Sequence, residues 1–130
     1  MRQIIYSSIS TARSGRADDD LAAILREAIA HNGLDGITGL LYCEDDRFLQ
    51  VIEGPEESMA SLVGRLERDR RHRDMEILID CTIDTREFGD WAMVYREQRE
   101  TIDHFDRRMA VLLAGVSPQT ERYFRALADA

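Results

Sequence analysis

The sequence predicts an α+β fold: one sheet laid down in the order β-α-β-β-α-β-β, with helices packed on it and two further helices after the last strand. Three observations lead there. Short β-rich runs alternate with stretches of helical period, turn residues fall between them, and each helical stretch carries a single apolar stripe that needs a sheet to cover. At 130 residues, with 44% apolar and 32% charged residues and only two prolines, the chain is the size and composition of one globular domain.

The first strand is Gln3-Ile4-Ile5-Tyr6-Ser7-Ser8, ended by the polar, glycine-containing stretch from Ser10 to Arg16. Asp18, Asp19 and Asp20 then put three carboxylates where a helix N-terminus favours negative charge, and Leu21, Ile24, Leu25, Ala28 and Ile29 recur with helical period. Asn32-Gly33 stops that helix as a left-handed C-cap pair. Ile37 to Cys43 reads as the second strand, Glu44-Asp45-Asp46 as a hairpin turn, and Arg47 to Glu53 as a third strand. This third run is nearly continuous in apolar residues, as in a strand covered on both faces, and its exception is Gln50.

Gly54-Pro55-Glu56-Glu57 opens a second helix, with proline near its first position and acids in its first turn; Met59, Leu62, Val63 and Leu66 form its stripe. Met75 to Thr85 and Trp91 to Tyr95 complete the strands. The order corresponds to the ferredoxin-like sandwich with one strand added, its helices on one face of the sheet. Ile102, Phe105, Met109, Leu112 and Leu113 mark a third amphipathic helix, and Ser117-Pro118 caps a fourth carrying Tyr123, Phe124 and Leu127. These two helices are expected to cover the other face or to bind a partner.

Charge and motifs narrow the function classes. A net charge of −8 argues against direct nucleic-acid binding, which rests on cationic side chains. No apolar stretch approaches the ~20 residues that span a bilayer, and Met1-Arg2-Gln3 does not open a signal peptide, so a cytoplasmic protein is expected. Cys43 and Cys81 read as two buried thiols within strands. His31, His72 and His104 show no zinc-like spacing, and no metal site is predicted. Glycine-rich dinucleotide loops, a phosphate-loop lysine and a serine-hydrolase elbow are all absent from the sequence.

Several polar residues sit awkwardly in a plain core. Gln50 shares a strand face with Phe48 and Ile52, where an unpaired amide would cost roughly 1–3 kcal/mol. It needs partners, either backbone and sheet-edge groups or a ligand. Tyr6 lies between Ile4 and Ser8 on its face, and its hydroxyl needs a partner too, in the core or on a ligand. Trp91 and Met93 share one face of the last strand, as edge-packing and gap-filling residues would. His31 and Asn32 suit the end of the first helix by charge and capping. Arg65, Arg68, Arg70, Arg71 and Arg73 with His72 suit the end of the second, as a basic turn in solvent. These residues alone do not name a ligand.

Taken together, Ile4 to Ser8, Asn32 to Leu41, Arg47 to Pro55, Arg68 to His72 and Phe88-Gly89-Asp90-Trp91-Ala92-Met93 resemble, in order and spacing, the BLUF family of blue-light sensors using FAD, over about residues 2–96. The resemblance implies a ferredoxin-like photosensor with the flavin ring between the first two helices, FAD as the cofactor, and FMN or riboflavin as other acceptable flavins. It makes Tyr6 and Gln50 the photochemical pair, with Gln50 bridging Tyr6 and the flavin. It implies electron and proton transfer from the tyrosine through the glutamine, whose amide changes orientation or tautomer and red-shifts the flavin. It assigns flavin contacts to His31, Asn32, Gln50, Arg65, Asp69 and Arg71, and signalling roles to Trp91 and Met93. His31 stands where many relatives carry a second asparagine.

Residues 1–96 are accordingly expected to form the photosensor domain and 97–130 a C-terminal helical cap or output extension. With about 35 residues after the sensor, the expectation is a signalling protein rather than an enzyme, acting through a separate protein partner and as a homo-oligomer.

Overall fold

The computed structural model describes residues 1–11, 27, 36–44, 46–89, 91–95, 107, 109–111 and 113–128, giving the backbone alone for 91–95 and 125–128. Apart from Glu27, the first predicted helix, with His31 and Asn32, lies outside the described residues. The strands are β1 (Arg2–Ser10), β2 (Thr38–Glu44), β3 (Arg47–Gly54), β4 (His72–Thr82) and β5 (Trp91–Tyr95); the helices are α1 (Glu56–Arg68) and α2 (Pro118–Ala128). One sheet holds all five strands in the order β4-β1-β3-β2-β5. The three antiparallel pairings among β1 to β4 are those of the predicted ferredoxin-like α+β sandwich: β1 lies antiparallel to both β3 and β4, and β2 antiparallel to β3, while β5 joins β2 in parallel.

Successive residues of a strand face opposite sides of the sheet, so β1 and β3 supply two cores at once. On one side Ile4, Tyr6, Ile37 and Ile52 pack with Met59 and Leu62 of α1, and Val63 and Leu66 complete the predicted helical stripe. On the other, Ile5, Leu40, Tyr42, Leu49 and Val51 pack with Phe88, Met109, Leu113 and Phe124. The C-terminal segment therefore covers the second face. α2 begins as its sequence suggested, since Ser117 Oγ accepts the Thr120 amide at 3.3 Å and Pro118 takes the first helical position, where its missing N–H costs nothing.

Three local readings need correction. β4 starts at His72 rather than Met75 and ends at Thr82. Its polar opening residues pair with β1 as Ser10 with His72 and Ile9 with Arg73, and as an edge strand it shows no clean apolar alternation to read. Pro55 occupies the N-cap of α1, one residue earlier than expected, and its carbonyl accepts the Met59 amide at 2.9 Å. Cys43 is buried, but Cys81 is only half-buried because it belongs to that same edge strand; both are free thiols. β4 also slips register against β1 on either side of Tyr6, and Asp74 takes a φ of 55° at the second irregularity. Such bulges re-aim side chains near sites.

Candidate functional site

The antiparallel register sets Tyr6 of β1 directly opposite Gln50 of β3. Both are buried, and the Tyr6 hydroxyl donates to Gln50 Oε1 at 2.5 Å. Burial, helped by the Cys43 thiol and the Asp69 carboxylate, pushes the phenol far above its usual range, so Tyr6 is a neutral donor at ordinary pH. With its carbonyl oxygen engaged, the Gln50 amide keeps its NH2 as a donor. Gln50 pairs onward with Leu41 of β2, and Leu41 with Met93 of β5. A single row therefore crosses the sheet from the phenol to the strand of Trp91, which itself pairs with Gly39.

The end of α1 supplies charge beside this pair. Asp69 accepts the Arg71 amide at 3.0 Å and its Nε at 2.9 Å, and Arg71 also reaches Glu27. The Arg71 hydrogen bonds outweigh burial and hold the Asp69 carboxyl below the usual range, while the same bond to Asp69 raises the guanidinium. His72 donates from Nε2 to the Leu66 carbonyl at 2.6 Å, and its ring centroid stands 6.3 Å from that of Tyr6. Arg65, in the last turn of α1, contributes a buried guanidinium nitrogen. The basic turn thus includes an ordered Asp69–Arg71 pair rather than cations standing free in solvent.

Ser8 is a further polar residue of this face, which the sequence pattern does not mark. It is buried two positions from Tyr6 on the same face of β1, and its hydroxyl has no hydrogen-bond partner among the described residues. A buried hydroxyl left unpaired is costly, so an orphan beside the Tyr6–Gln50 pair fits a ligand that brings polar atoms to this face.

The family of sensors of blue-light using FAD, BLUF, matches residues 1–94. The chain belongs to the BLUF family. Photoactivated adenylate cyclase subunit alpha of Euglena gracilis is 36% identical over 86 residues, which are 66% of this chain and 8% of that protein. The beta subunit is 32% identical over 93 residues, 72% of this chain and 11% of that protein. The chain thus spans about a tenth of the length of the cyclase relatives it matches. Klebsiella pneumoniae BlrP1, solved with FMN and cyclic diGMP, superposes with a TM-score of 0.81 at 27% identity, covering 98% of this chain and 34% of that one. The photo-activated state of BlsA gives a TM-score of 0.71 at 29% identity, covering 99% and 95%.

BLUF proteins sense blue light with FAD, and the residues here suit a flavin: the orphan Ser8 hydroxyl, the Gln50 amide and the charged end of α1 line one side of the sheet. Of the predicted contacts, Tyr6 touches Gln50, and Asp69 touches Arg71. His31 and Asn32 lie outside the described residues, and Trp91 and Met93 are described by backbone pairing alone. No described helix is long and apolar enough to cross a membrane.

Proposed function

We propose that this BLUF chain converts blue light into a change in the Tyr6–Gln50 hydrogen bond, and through it into altered association with a separate protein partner or with further copies of itself. The direct 2.5 Å contact between the two buried side chains carries the reading. A bound flavin would supply the absorption of blue light and the oxidising power of its excited state. Tyr6 is the donor of an electron and, from Oη, of a proton, for which Gln50 Oε1 is the adjacent acceptor. The electron and proton return to Tyr6, so no net oxidation remains, but the Gln50 amide is left in another orientation or tautomer. The altered pattern of donors and acceptors defines the lit state.

Asn32, His31, Arg65, Asp69 and Arg71 hold the flavin in this reading, with Ser8 added as a contact. Trp91 and Met93 pass the change to the strand beside β2. Residues 1–96 form the sensor and 97–130 the output extension, and signalling rather than turnover is the role, with the catalytic step of the cyclase relatives lying in parts of those proteins that this chain does not match.

The test is the visible spectrum of the flavin-loaded protein in the dark, under blue light and after dark recovery. A red shift that reverts is expected in the wild type and absent from Tyr6→Phe and Gln50→Ala, both of which keep the flavin. A normal reversible shift in Gln50→Ala would sink the mechanism, and flavin that only bleaches would point to redox turnover instead.

A further inference from the structure

We infer that Glu53 is a positioning residue that fastens the strand carrying Gln50 to the C-terminal helical segment, making one buried carboxylate the mechanical link between sensor and output. The inference rests on the photosensor reading above and deepens it.

Glu53 is fully buried, yet its neighbours on that face of β3, Leu49 and Val51, are apolar core. An apolar residue there would fill the space without the cost of desolvating a charge, so burial of a carboxylate asks for a role other than bulk stability. The carboxylate is fully engaged. Its Oε1 accepts the Thr38 hydroxyl at 3.0 Å and the Phe88 amide at 2.7 Å; its Oε2 accepts the Glu87 amide at 3.0 Å and the Gln3 side-chain amide at 3.5 Å. Arg86 braces the same corner by donating to Thr38 Oγ1 at 2.9 Å and to the Gly36 carbonyl at 2.7 Å.

Two arms leave this point. The apolar arm runs through Phe88, whose backbone is held by Glu53 and whose buried ring belongs to the cluster of Met109, Leu113 and Phe124. The polar arm runs through Glu87, which accepts from the Gln3 amide, from the Ser117 backbone amide and, at 2.9 Å, from the Thr120 hydroxyl. Glu87 thereby caps the start of α2 from outside the helix, as the acidic member of a capping box does from within. Both arms end on residues 109–124.

Gln50 lies three residues before Glu53 on β3, and the two side chains project to opposite faces of the sheet. Any change in how β3 sits against β1 and β2, made by Gln50 on the flavin side, displaces the Glu53 carboxylate on the other. Two of its four donors, the Glu87 and Phe88 amides, tie that carboxylate to the loop ahead of β5 and, through it, to α2, while Thr38 and Gln3 anchor it to β2 and β1. The lit state shifts the C-terminal segment only if it changes these bonds, which gives the coupling a definite set of contacts.

The experiment is hydrogen–deuterium exchange over residues 113–124 in the flavin-loaded full chain, dark and under blue light, with the flavin spectrum recorded on the same samples. Wild type is expected to show a light-dependent change in exchange there. In Glu53→Gln an NH2 group faces donors, and in Thr120→Val the hydroxyl is lost. Both should keep the red shift but lose the light-dependent change, with dark exchange at the start of α2 about tenfold faster in Thr120→Val, the equivalent of one lost bond to a charged group. Thr120→Ser should restore wild-type behaviour, which a mere loss of packing at that position would not predict. A light-dependent change of wild-type size in Thr120→Val and in any folded Glu53→Gln, or none in wild type despite a normal red shift, overturns the inference alone. Absence of the red shift in wild type overturns the photosensor reading and the inference with it.

Discussion

Replacing Gly39 by alanine is a demanding test of how β2 is seated against the strand that carries Gln50. Gly39 has a φ of 154°, in a region almost confined to glycine, and pairs with Ile52 on one side and Trp91 on the other. A Cβ at this position would stand 2.0 Å from the Val51 carbonyl oxygen, 2.9 Å from its carbon and 3.1 Å from Ile52 Cα, all backbone atoms that no rotamer change can move. The first contact is 1.0 Å short of the 3.0 Å below which something must shift. Parting β2 from β3 by that amount stretches ladder bonds of about 2.9 Å beyond any useful length. Two lost hydrogen bonds at about 1 kcal/mol each, with about 1–3 kcal/mol for the strained backbone, give a destabilisation of roughly 3–5 kcal/mol. A domain's whole stability is about 5–15 kcal/mol. Urea unfolding of Gly39→Ala should therefore show a midpoint lowered accordingly at unchanged slope, with weaker flavin retention. A midpoint shift equivalent to less than about 0.5 kcal/mol would refute the close approach of β2 and β3 at this point.

Phe124→Ala should cost about 3–5 kcal/mol in the same assay, because its ring is 1% exposed within the core of the second face; a loss under about 1 kcal/mol would mean that the C-terminal segment is not docked there. The Asp69 carboxyl is held below its ordinary value of 3.8 by the Arg71 hydrogen bonds against the pull of burial. Its contribution to stability is present above that pH and fades as pH falls through the lower folded-state value, so the stability gap between wild type and Asp69→Asn should be level from pH 7 to pH 5 and close on further acidification. Burial raises the Tyr6 phenol well above its ordinary 10.0. A difference titration of wild type against Tyr6→Phe should show no phenolate from Tyr6 at pH 10, and wild-type stability should fall as pH rises beyond it.

Much of this was legible because it is written in local periodicity and turn chemistry. The stripe of Met59, Leu62, Val63 and Leu66, the Ser117-Pro118 cap and the exceptional position of Gln50 all appear where the residues indicated. β4 was harder, since an edge strand with two register slips and polar first residues loses the alternation that announces a strand. Glu53 closes a run whose stated exception is Gln50, though a carboxylate in a strand covered on both faces is itself the signal that marks it. Its partners are up to 50 residues distant along the chain, and no local pattern encodes them. The orphan Ser8 hydroxyl is likewise visible only once the sheet is assembled, and a glycine inside a strand does not say which backbone crowds it.

The parallel seam between β2 and β5 divides the sheet into unequal units of cooperativity. The four antiparallel strands share their ladders and two cores, whereas β5 contributes five residues with one neighbour and the slanted bonds of a parallel pair, which hold slightly less per residue. Opening along that line would release Trp91 and Met93 while leaving intact the β1–β3 pairing that joins Tyr6 and Gln50. The two strands that carry Tyr6 and Gln50 thus lie inside the sheet with a neighbour on each side, whereas the strand of Trp91 and Met93 hangs from a single seam.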